Sequence, residues 1–225
     1  MNPTKPAPPL RTARPWRSRV IRWKRKRQSL SASTIAPLDA VLLAVDSARN
    51  SGWALYARGQ LNKYGECNSR APHERAEVVA DALRLAVALD RPIGLVLEVP
   101  FGGPLKTLLS LAESATLWRD TWIAYEQHPR RVIDVLATEW RERMFGVGTM
   151  PREDARRLEQ ITAQRILDVA RMTSRPALGG DAAAAVCLGY TARSSSALQT
   201  ALPCALIDLR RHPRARLTVH AKGKP

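Results

Sequence analysis

From Val41 onward the chain alternates between short unbroken apolar runs and apolar stripes at helical spacing. Val41-Leu-Leu-Ala-Val-Asp46 is apolar until its last residue, as a buried strand would be. Ser47-Ala-Arg-Asn50 reads as a turn, and Ser51-Gly-Trp-Ala-Leu-Tyr-Ala57 alternates well enough for a second strand. Gly59 and Gln60 suit a hairpin turn into a third strand, Leu61 to Cys67. From His73 to Leu89 the residues Ala76, Val79, Ala80, Leu83, Ala86 and Val87 form a helical stripe, ended by Arg91-Pro92. Ile93-Gly-Leu-Val-Leu-Glu98 is a further strand. Leu105 to Tyr125 reads as a helix, and Arg131-Val-Ile-Asp-Val135 as a short strand. Asp154 to Met172 is helical, with Leu158, Ile161, Ile166 and Val169 placed on one face. The Ala-rich stretch Asp181 to Arg193 is the last helix, since Ala favours helix and an Asp in the first turn suits the dipole. Three meandering strands followed by alternating helices and strands predict a mixed five-stranded α/β sheet with helices on both faces.

Three acids occupy unusual places in that pattern. Asp46 and Glu98 each end a buried strand, and Asp181 opens the last helix after Gly179-Gly180. A carboxylate at the end of an apolar strand is costly to desolvate unless it meets a cation, a metal or solvent. Two strand ends and a helix start can place all three in one pocket. Hard oxygen ligands of that kind suit Mg²⁺ or Mn²⁺.

Charge adds a partner class. The formal net charge is +16, and its distribution is uneven. Residues 1–38 carry ten Lys and Arg and no acid, and residues 209–225 carry six and no acid. That leaves 20 of the 36 cations for residues 39–208, which hold all 20 acids and are formally neutral. A neutral core between basic arms suits a protein whose tails grip a polyanion. The expected organisation is a basic Pro/Arg-rich arm over 1–38, expected to be disordered, a folded domain over 39–195, and an extension with a basic tail over 196–225. In the first arm, Trp16, Arg17, Trp23, Lys24, Arg25, Lys26 and Arg27 combine aromatic rings with cations, a mixture that can stack on bases and neutralise phosphates. A solvated tail, an RNA-binding arm and a transit-like segment are the other readings of the same composition. No apolar stretch follows these charges, so a secretory leader is not expected, and no run has the length of a membrane span. Cys67, Cys187 and Cys204 lack paired spacing, which argues against structural zinc and fits a reducing compartment. None of the four histidines stands near a Ser or Cys in a way that suggests a triad.

Four segments, in order, resemble the motifs of the RuvC family of Holliday-junction resolvases. Leu43-Ala-Val-Asp46-Ser-Ala-Arg-Asn-Ser-Gly52-Trp53-Ala54 is similar to its opening motif. Leu97-Glu98-Val-Pro-Phe101 is similar to the second, a strand-end Glu with an aromatic three residues on. Trp140 to Arg152, with basic residues around Gly146-Val-Gly148, resembles a third segment, and Asp181-Ala-Ala-Ala the closing helix start. The resemblance spans roughly residues 40–193.

The resemblance implies a ribonuclease-H-like fold and a metal-dependent endonuclease that resolves four-way DNA junctions by symmetric phosphodiester hydrolysis. It implies that Asp46, Glu98 and Asp181 are catalytic and ligate Mg²⁺ or Mn²⁺, two ions per site. Arg141 and Arg152 match basic positions near the scissile phosphate, and Phe101 an aromatic that contacts bases. It further implies a homodimer, branched DNA as partner, no membrane, and a cytoplasmic, nucleoid-associated setting, with an organelle also open. One position departs from the pattern. Where the family usually has an acid or His three residues before the helix-start Asp, this chain has Leu178. Leu cannot ligate a metal, and Glu153, Asp154 and Asp168 are substitutes among which spacing does not choose. A junction- or nucleic-acid-binding protein that kept the fold without cleavage is therefore the alternative reading.

Overall fold

The computed structural model describes residues 39–100, 102–126, 132–170, 172 and 176–193. Phe101 and the arm residues Trp16, Arg17, Trp23, Lys24, Arg25, Lys26 and Arg27 lie outside the described residues, as does Cys204. Five strands, β1 (Val41–Asp46), β2 (Asn50–Ala57), β3 (Gln60–Asn68), β4 (Ile93–Val99) and β5 (Val132–Leu136), make one sheet in the order β3-β2-β1-β4-β5. β1, β2 and β3 meander antiparallel, whereas β4 and β5 run parallel to β1. Among the described residues five helices accompany them: α1 (Pro72–Leu89), α2 (Leu105–Glu126), α3 (Ala137–Phe145), α4 (Arg152–Ala170) and α5 (Gly180–Ala192). This is the mixed five-stranded α/β sheet expected from the sequence.

Period-two alternation sorts the strand residues onto two cores. Val41, Leu43, Val45, Leu95 and Leu97 face α1 and α2, where Trp118 and Trp122 are fully buried four residues apart. Leu42, Ala44, Ala54, Tyr64 and Val96 face α3, α4 and α5. The same alternation carries Asp46, Gly52, Glu66 and Glu98 onto this second face, at the ends of their strands. Between β2 and β3 the turn is Arg58-Gly59, both with positive φ (50° and 74°), a geometry whose twist matches a hairpin; Gln60 already belongs to β3.

α5 is buried along nearly its whole length, from Ala182 through Gly189. Its small residues let it lie close to β1 and β2. Gly189 sits where a Cβ would overlap the Tyr56 ring, and Tyr56 Oη donates to Val186 O at 2.7 Å.

Three sequence expectations need correction. α3 was not anticipated: among its residues only Trp140 is buried, so it carries no apolar stripe to reveal it. On α4 the buried positions are Ala155, Glu159, Ala163, Ile166 and Leu167, while Leu158, Ile161 and Val169 are exposed. Small residues win the inner face because α4 packs directly on α5. On α1, Val87 is exposed and Val78 and Ala82 take the inner face with Val79, Leu83 and Ala86.

Candidate active site

Parallel pairing of β1 with β4 puts Asp46 directly opposite Glu98. On the other side, Asp46 pairs with Gly52 of β2, and Gly52 with Glu66 of β3. One row across the sheet therefore reads Glu66, Gly52, Asp46, Glu98. Gly52 is the gap in that row, and the first turn of α5 fills it. A Cβ on Gly52 would overlap the backbone carbonyl of Asp181. The lack of a side chain at position 52 is thus what lets α5 deliver Asp181 beside the two strand-end carboxylates.

Hydrogen bonds fix the Glu98 carboxylate and the backbone around the β1 and β4 ends. Glu98 Oε2 accepts from the indole Nε1 of Trp140 at 2.7 Å. Ser47, the residue after Asp46, donates its hydroxyl to Glu98 O at 2.5 Å, tying the two strand ends together. Behind them, Trp118 Nε1 donates to Ser51 Oγ at 2.9 Å and Ser51 Oγ to Ala48 O at 2.7 Å, which fixes the β1–β2 turn. Arg141 Nε bonds Glu159 Oε1 of α4 at 2.7 Å, and its guanidinium lies 5.0 Å from the Trp140 ring centre.

Electrostatics bind these groups into one cluster. Burial pushes the Asp46 carboxyl well above the ordinary range, and Glu98, Asp181 and Glu159 add to the rise. Glu98 is also raised, by burial first, although Arg141 and the Trp140 bond work against it. Burial and then Glu66 raise Asp181, opposed by Arg156 and Arg152. Burial works against the Arg141 charge, yet Glu98 and Glu159 hold it above its ordinary value.

The structure thus brings together Asp46, Glu98, Asp181 and Arg141, with Arg152 at the exposed start of α4 acting on Asp181. Glu66, Glu159, Trp140 and Arg156 join them unanticipated. Glu66 and Glu159 were hidden for the same reason: neither cross-strand register nor helix docking is written in local spacing. Leu178 packs against the core, as an apolar side chain should. Of the three proposed substitutes for it, Glu153 and Asp154 are exposed on the first turn of α4. Asp168 is exposed near Val169 and Ala170, which line a cavity with Tyr56 and Gln60 at the opposite end of β2 and β3. Gly146, in the Gly-x-Gly, has φ 76° and caps the end of α3.

No family model matches the chain, and no curated protein matches it. Solved structures similar to it include two of RuvC. The Thermus thermophilus RuvC structure shares 14% identity at a TM-score of 0.45, covering 68% of this chain and 92% of that one. T. thermophilus RuvC in complex with a Holliday junction substrate shares 14% identity at a TM-score of 0.47, covering 72% and 98%. At that identity the likeness assigns no residue a role.

As a donor set, three carboxylates raised by burial and mutual repulsion suit a hard divalent cation, whose charge would relieve both. The side chains converge without closing: among the described residues no three His, Cys, Asp or Glu are grouped tightly enough to hold a metal ion as they stand.

Proposed function

We propose that this protein is a metal-dependent, structure-selective DNA endonuclease that resolves four-way junctions by symmetric hydrolysis. The observation that carries the reading is the in-register pair Asp46 and Glu98 with Asp181 lodged over Gly52. Asp46, Glu98 and Asp181 would hold Mg²⁺ or Mn²⁺, two ions in this reading, which when bound supply an acidified water and charge stabilisation for the leaving 3′ oxygen. The chain's own residues do the rest. Trp140 orients Glu98 through its indole N–H. Arg152 and Arg156, exposed at the start of α4, offer cations to the phosphate beside Asp181. The surplus of cations in residues 1–38 and 209–225 supplies attraction to DNA that is independent of sequence. The order and character of the four motif segments favour a junction over an RNA–DNA hybrid as substrate. Two symmetric nicks require two sites, so the working form in this reading is a homodimer.

The test is incubation of the purified protein with an end-labelled synthetic four-way junction, a flap and a linear duplex, in Mg²⁺ or Mn²⁺. Paired nicks at the junction are expected, with the duplex left intact. Tight junction binding without nicks would favour the second reading, a non-cleaving junction-binding protein. That reading draws on Leu178, a half-buried apolar residue where a further ligand is usual in the family the chain resembles, and on the open arrangement of the acids.

A further inference from the structure

α5 begins without a cap of its own. Its N-cap residue is Gly179, followed by Gly180, and no side chain of the helix start bonds its free amides. The missing acceptor comes from a different element: Glu66 Oε1 on β3 accepts from Ala182 N at 3.1 Å. The fit is two-sided. A Cβ on Gly179 would overlap the Glu66 carboxylate, so Glu66 occupies the space that a capping side chain of the helix would need. Glu66 reaches this place because it stands next to Gly52 in the cross-strand row, on the face that α5 covers. Ala182 adjoins Asp181, so the bond fixes the backbone that carries the third carboxylate.

We propose that Glu66 is a positioning residue of the active site: its carboxylate, acting as a hydrogen-bond acceptor for Ala182 N–H, sets where Asp181 stands relative to Asp46 and Glu98. The role rests on the nuclease reading above for its catalytic consequence, but the bond itself does not. Because an acceptor oxygen is what matters, Gln should serve where Ala cannot. This separates positioning from metal ligation, for which an amide is a poor substitute for a carboxylate.

The experiment compares Glu66→Ala, Glu66→Gln, Gly179→Ala and the double variant Glu66→Ala with Gly179→Ala, in the full chain. Junction binding, single-turnover cleavage in Mg²⁺ and melting in EDTA are the readouts. Glu66→Ala is expected to slow cleavage by up to about 100-fold, the scale set by a displacement of about 1 Å, with junction affinity kept. Glu66→Gln should cleave near the wild-type rate. Equal loss in Glu66→Gln and Glu66→Ala would overturn the proposal in favour of a charge-dependent ligand, and an unimpaired Glu66→Ala would overturn it outright. In EDTA, Gly179→Ala should lower the melting temperature when Glu66 is present and cost little beside Glu66→Ala; additive losses would overturn the contact. Should Glu66→Ala fail to fold, Gly179→Ala decides, since it displaces the carboxylate without removing it and must slow cleavage. Should the wild-type protein not cleave, the nuclease reading fails by itself, and the metal-free melting cycle still decides whether Glu66 holds α5.

Discussion

Trp140 and Glu98 are joined across two elements by a 2.7 Å hydrogen bond from the indole Nε1 to Oε2, with the indole fully buried. The bond favours the charged form of Glu98 and works against the burial that raises its carboxyl. Trp140 also meets Phe145 edge-on at 6.0 Å between ring centres, so its ring has a packing role as well.

Trp140→Phe keeps most of that packing and removes the donor. The expected cost is about 1–3 kcal/mol of stability, because a buried acceptor loses its partner. Cleavage should fall by roughly 10–100-fold, the usual scale for losing a group that orients a metal ligand. Without the bond the Glu98 carboxyl rises further, so the acid limb of the pH–rate profile should move to higher pH. A pH–rate series for both proteins checks this; an unmoved limb would mean Glu98 does not need Trp140.

Asp46→Asn should abolish cleavage and preserve or tighten junction binding, since a carboxylate repels phosphate when no metal intervenes. It should also stabilise the metal-free protein at neutral pH. Folded Asp46 holds its proton to higher pH than the unfolded chain, because burial and then Glu98 penalise its charge. The stability it contributes is full below the unfolded carboxyl range and is lost as pH rises through the raised folded value. Melting in EDTA at about pH 5 and about pH 8 should therefore show the gap between Asp46→Asn and wild type widening with pH. Each kcal/mol gained raises the melting temperature by about 2–4 °C in a chain of this size. A gap that narrows would show that Asp46 is not buried at the cost argued here.

Gly52→Ala tests the seat of α5. Its Cβ would overlap the Asp181 carbonyl, which is backbone and cannot swing away. The helix must lift at its first turn, at a cost of roughly 1–3 kcal/mol for overpacking. Cleavage should fall with it, because Asp181 moves away from Asp46 and Glu98. Gly180→Ala is the control: a Cβ there meets nothing within 4 Å, and it should leave the rate unchanged.

What the sequence displays and hides follows from how each residue signals. Asp181 stands out because it opens an Ala-rich helix after a Gly pair, and Asp46 and Glu98 because a charge at the end of an apolar run is visible in one dimension. The strands were visible for the same reason. α3 was hidden, since one buried residue, Trp140, with Met144 and Phe145 only partly buried at the helix end, is too short a stripe to show periodicity. The inner face of α4 is not the one its sequence displays, because Leu158, Ile161 and Val169 outweigh Ala155 and Ala163 in any hydrophobic count, while packing on α5 rewards the smaller residues. Glu66 was out of reach altogether. Its importance depends on pairing with Gly52 and on where α5 lands, and both are decided between elements that local spacing does not relate.

The arms can be separated from the chemistry by salt. Residues 39–208 are formally neutral, so attraction to DNA that is independent of sequence should come largely from the ends. Deleting residues 1–35 removes ten cations. Each phosphate neutralised contributes about 0.9 to the slope of log affinity against log salt, so if about half the cations touch phosphate the slope should fall by roughly 4–5 units. Preference for a junction over linear duplex should survive, because in the proposed function shape is read by the folded domain and not by the arm. Turnover on saturated junction should change little, because Asp46, Glu98 and Asp181 all lie in the folded domain. Junction and duplex affinities across a salt series, for full-length and truncated protein, measure all three. An unchanged slope would make the arm a targeting or protein-contact segment. Loss of junction preference would make the arm itself the reader of structure, with Trp16 and Trp23 stacking on the opened bases.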